Sequence, residues 1–91
     1  MIFEHLRKPL EALPDDLLHD QHKLMKQQIL NVLDDFHGQV NQAIEDDDEH
    51  LCVVALRQTI KQVPMKIAEF MKEVGIEFNL TRILKTISLT Y

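Results

Sequence analysis

From Val53 to Val74 the apolar residues Val53, Leu56, Ile60, Val63, Ile67, Phe70 and Val74 follow one another at alternating steps of three and four. That spacing keeps one apolar line on one side of a helix and requires a partner helix to cover it. The chain has 91 residues, so the partner comes from a single small domain, residues 1–91. Two Gly, three Pro and no hairpin dipeptide leave little material for turns and none for a β-hairpin. The expected class is therefore all-α.

The partner is legible upstream. Leu18, Met25, Ile29, Val32, Phe36, Val40 and Ile44 recur at helical spacing, and Leu17, Leu24, Leu30 and Leu33 widen that face. Pro14, Asp15 and Asp16 read as a helix start, with proline where its missing N–H does no harm and two acids at the positive end of the helix dipole. Gly38 interrupts the composition but not the spacing, so the helix is expected to run through it at a cost of about 1 kcal/mol. Within the acidic run Glu45–Glu49, Asp46 and Glu49 have capping-box spacing, which makes Asp46 the N-cap of the second helix. So short a connection forces an antiparallel pair. The reading is a long helical hairpin over 15–45 and 47–74, flanked by short N- and C-terminal helices.

The flanks are less constrained. Ile2, Phe3, Leu6, Leu10 and Leu13 read as a short helical arm packed on the main body, with a partly ordered tail as the alternative. Pro64 lies inside the seam and predicts a kink near Lys61–Val63, in one bent helix or two pieces nearly in line. Gly75 reads as the residue that closes the helix, with Ile76 folded over Phe70 or Met71. Asn79 then caps a last helix carrying Leu80, Ile83, Leu84 and Ile87. Residues 86–91 alternate apolar and polar; helix is preferred there to a strand without a partner.

Net charge is −5 and unevenly spread. Residues 1–50 hold four Lys/Arg against twelve Asp/Glu, and residues 51–91 hold six against three. The acidic half argues against a phosphate-binding surface over the whole molecule. The more basic C-terminal half sustains one alternative, a DNA-binding transcriptional regulator reading through a helix–Gly75–helix unit. Pairing of an acidic first helix with a basic second explains the same charges more simply.

Candidate chemistry is sparse. Asp15, His19 and His22 have the spacing of one helix face, but they make three ligands at most and no metalloenzyme signature, so no metal is expected. The run Glu45–Glu49 lacks the alternating ligands and central glycine of a calcium loop. Asp34, Asp35 and His37 read as surface. Cys52 is the only cysteine, which excludes an internal disulfide and suits a reducing cytoplasm. Its acidic neighbours raise a thiol pKa and disfavour a nucleophile, leaving it as a small apolar residue. No phosphate loop, nucleophile elbow, secretory signal or membrane-length apolar run is present, and no cofactor, membrane partner or enzyme activity is expected.

What remains is the excess apolar width of the first helix. Leu24, Leu30 and Leu33 form a shoulder that the second helix does not need, and Asp46, Asp47 and Asp48 form an acidic tip. These six residues are the expected interaction surface. The expected function is a small acidic protein–protein interaction module, a cytoplasmic regulator or adaptor that binds another protein. Two hairpins would complete a four-helix bundle as a homodimer.

Overall fold

The computed structural model describes residues 2–90, with side chains from Ile2 to Gly75. Every regular element among them is helical: α1 (Ile2–Glu11), a 3-10 turn (Asp15–Leu17), α2 (Asp20–Glu45) and α3 (Glu49–Thr90). α2 and α3 form the expected antiparallel hairpin, and α1 packs against both. The molecule measures 63 × 21 × 19 Å. Its long dimension is about that of a 42-residue helix at 1.5 Å per residue.

The hairpin turn is made by three aspartates. Asp46 is the last residue near helical geometry and Asp47 turns the chain with φ 54°. The Asp47 N–H donates to the Ile44 carbonyl at 3.2 Å, and the Asp48 N–H donates to the Ala43 carbonyl at 2.8 Å. This pair of bonds is a Schellman motif, with aspartate in the left-handed position usually given to glycine. Asp48 then caps α3, its Oδ1 accepting from the Leu51 N–H at 3.0 Å. The cap is therefore Asp48 and not Asp46. Capping-box spacing misleads here because no glycine marks the left-handed residue.

Apolar side chains on all three helices meet in one core. Phe3 and Leu10 of α1 are buried with Ile29, Leu33 and Val40 of α2 and Val63, Phe70 and Val74 of α3. Near the turn the buried side chains are small, Ala43 and Ala55. Thr59 is also fully buried, and its hydroxyl donates to the Ala55 carbonyl at 2.8 Å, which satisfies it within its own helix. The N-terminal arm is thus a true helix, with Phe3 stacked on His37 at 4.5 Å and Arg7 paired with Asp34.

Two boundaries differ from expectation. Pro14 and Asp15 lie in the connector, and α2 begins only at Asp20, with His19 at its cap position. α3 runs through Pro64 and Gly75 as one helix, so Gly75 does not terminate it and Asn79 does not start another. Residues 86–90 are helical. The expected packing of Ile76, Leu80, Ile83, Leu84 and Ile87 lies outside the described side chains.

Three substitutions test these assignments. Gly38 lies on an exposed stretch of α2, and a methyl group in place of its hydrogen would meet nothing within 4 Å. Gly38→Ala is expected to raise unfolding free energy by about 1 kcal/mol in urea melts. Asp48→Ala is expected to lower it by about 1 kcal/mol, whereas Asp46→Ala has a smaller effect. Equal losses at the two positions would refute the cap assignment.

Candidate interaction surface

The helix lengths decide what is left uncovered. α1 has 10 residues against 26 in α2 and lies along one side of it. Its contacts run from Phe3 at His37 to Arg7 at Asp34, and just beyond its end the Leu13 carbonyl accepts from Lys26 Nζ at 3.0 Å. Leu30, His37 and Ile44 are spaced by seven and share that side of α2. The first two are half-buried beside α1, while Ile44 lies past its end and is 59 % exposed.

Beside Ile44 a shallow groove of about 340 Å³ opens at the turn. Ile44, Cys52 and Val53 line its apolar part, and Asp47, Asp48 and Glu49 its acidic rim. Asp48 is occupied by its cap bond, and Asp46 accepts from Gln42 at 3.1 Å. Among the described residues no hydrogen bond or ion pair engages the carboxylates of Asp47 and Glu49. Val53 is 45 % exposed, and Leu51 and Val54 add further exposed apolar area on the first turns of α3. Cys52 is half-buried and packs against the core, in the role of a small apolar residue.

The six expected surface residues do not come together. Asp46, Asp47 and Asp48 are exposed at the turn. Leu24 is 60 % exposed but lies near the opposite end of α2. Leu30 is half-buried against the core, and Leu33 is fully buried in it. Leu33 lies on the line of Ile29 and Val40, so Leu30 and Leu33 belong to the chain's own core, and Leu24 is the one residue of the shoulder left exposed. The seam of α3 is corrected in the same way. Val63, Ile67, Phe70 and Val74 are buried, but Val53 and Ile60 are exposed and Ala55 and Thr59 take their place. Sequence reading misses the groove residues Ile44 and Val53 because it counts both as core.

The remaining candidates resolve into structural roles. Asp15 lies in the 3-10 turn and His19 precedes α2, so neither shares a helix face with His22. The Asp15 carboxylate accepts from Lys26 Nζ at 2.8 Å. The His22 ring stands edge-on to Phe70, with Nε2 3.5 Å from Glu73 Oε2. Among the described residues no group of three His, Cys, Asp or Glu is placed to hold a metal. The contact of His22 with Glu73 has the opposite polarity to an acidic α2 facing a basic α3, and Asp34 of α2 pairs with Arg7 of α1 instead. The helix–Gly75–helix unit needed for DNA reading is not formed, because Gly75 is inside α3. Among the described residues no helix is long and apolar enough to cross a membrane. Comparison of the chain with protein-family models, curated proteins and solved structures finds no match in any of the three.

Lys26 fastens the connector through two acceptors, the Leu13 carbonyl and Asp15. Its hydrogen bond, and then its charge, hold the Asp15 carboxyl below the ordinary aspartate range. A carboxylate with a depressed folded pKa stabilises above its unfolded pKa and loses that contribution as pH falls through the folded value. Wild type is therefore expected to exceed Asp15→Asn in stability at pH 7, with the difference closing below about pH 4. Chemical melts of both proteins across that range check it, and a pH-independent difference would contradict it.

Proposed function

We propose that the chain is a protein–protein interaction module, a homodimeric regulator or adaptor without catalytic activity of its own, which offers its acidic turn to another protein. The observation that carries this reading is the groove at the turn, where exposed Ile44 and Val53 lie beside Asp47 and Glu49. Apolar area rimmed by unengaged carboxylates suits a basic amphipathic helix, whose apolar stripe fills the groove while its cations meet the rim. A lone half-buried cysteine is compatible with a reducing cytoplasm.

Fluorescence anisotropy with a labelled Lys/Leu amphipathic peptide tests the groove. Binding is expected at low salt, weakening as salt screens the rim, and Ile44→Asp is expected to abolish it. A Glu/Leu peptide of the same length is the control and is expected not to bind. No binding at low salt, or binding indifferent to Ile44→Asp, would remove the groove from the proposal. Sedimentation equilibrium at micromolar concentration tests the homodimer separately. A species of about twice 10.7 kDa is expected, and a clean monomer would remove the homodimer and leave the groove.

A further inference from the structure

The groove at the turn has two electrically different ends. The carboxylates of Asp47 and Glu49 stand at the turn end, and exposed Ile44 and Val53 form the apolar middle. The other end is set by α1. Phe3 stacks on His37 and Arg7 pairs with Asp34, so α1 runs antiparallel to α2 with its amino end toward Ile44. The first backbone N–H groups of a helix have no partner within it and form its positive end. Arg57 adds a full charge. It follows Val53 by four residues, so it lies on the same side of α3, one turn farther from the acids, and it is exposed. Glu4, in the first turn of α1, is spaced three from Arg7 and so shares the side that meets Asp34. From His37 to Asp47 is about 15 Å along α2, the length of about ten helical residues.

A helix laid along this length has a polarity of its own. With its amino end at Asp47 and Glu49, its positive end meets the two acids. Its last carbonyls then meet Arg57 and the open first turn of α1. Turned round, it sets carbonyls against the acids and one positive helix end against another. The first polarity is favoured at both ends.

We propose that the groove takes a basic amphipathic helix in this one polarity, amino end at the acidic turn and carboxyl end toward α1, with the partner's cations in its first turn. The proposal rests on the groove reading above and specifies which helix fits. Such a helix runs parallel to α1 and α3 and continues the line of α1 along α2.

The experiment uses the full chain and two acetylated, amidated Lys/Leu peptides of about ten residues. One carries its lysines in the first turn, and the other has the reversed sequence. Anisotropy at low salt is expected to show the first binding roughly tenfold tighter. Helix stability alone favours the opposite order, because cations in a last turn make the reversed peptide the better isolated helix. Asp47→Asn with Glu49→Gln keeps the turn, since asparagine also tolerates the left-handed region. That double substitution is expected to weaken the first peptide and bring the two to within about threefold of each other. A nitroxide on the first or the last peptide residue reads polarity directly, through NMR line broadening in the full chain. The first-residue label is expected to broaden the amides of Asp47 and Glu49, and the last-residue label those of Phe3 and Arg57. Binding by neither peptide would overturn both this polarity and the groove reading. The polarity alone is overturned by equal or tighter binding of the reversed peptide, by a difference that survives the double substitution, or by broadening of Asp47 and Glu49 from the last-residue label.

Discussion

Helices of 10, 26 and 42 residues cannot cover one another along their lengths, and the rest of the structure follows from that inequality. At about 1.5 Å per residue they reach roughly 15, 39 and 63 Å. Where all three are present, the core is continuous from Phe3 to Val74. Where α1 is missing, at the turn, Ile44 and Val53 stay exposed although their spacing is that of core residues. The register that sets these limits comes from three residues. With Asp47 left-handed and Asp48 capping, the turn has no slack, and the level of every pair up to His22 and Glu73 is fixed from there.

The acidic run has two separable roles. Asp48 and the backbone of Asp47 serve the fold, one as a cap and the other as the left-handed residue. Asp47 and Glu49 keep their charges at the rim of an apolar groove. Aspartate tolerates the left-handed region better than most residues but less well than glycine, so a turn chosen for stability alone would favour glycine at position 47. Asp47 instead contributes charge at the point where the groove opens. The same side chain thus links a small backbone cost to a surface that combines apolar area with unengaged carboxylates.

The hairpin, its antiparallel sense and the passage through Gly38 were legible in the sequence, because each rests on a long periodic signal. The details of burial were less so. A heptad count treats Val53 and Ile60 as core because they are large and apolar. Thr59 and Ala55 displace them near the turn, where small side chains are buried and a hydroxyl satisfied by its own helix carries little desolvation cost. Gly75 has nothing within 4 Å of its missing side chain, so close packing does not call for glycine there. Composition alone therefore mistakes it for a helix end. Leu33 is misplaced for a related reason. On so wide a face, one sequence cannot show which edge turns inward until the position of α1 is known.

α3 shows why a single periodicity was not enough. Its inner line, through Val63, Ile67, Phe70 and Val74, faces α2 and α1. A different line, through Val54 and Met65, lies on the outer side and continues in sequence to Ile76 and Ile87. In sequence the inner spacing weakens after Val74, level with the start of α2, and the outer spacing persists to Ile87. Two apolar lines on different sides of one helix blur its amphipathicity, and such a helix is ordinarily buried all round. Here the inner line is covered by the chain itself, whereas Val54 and Met65 stay exposed. That arrangement separates an apolar line that folds the chain from apolar positions the chain leaves exposed, within one continuous helix.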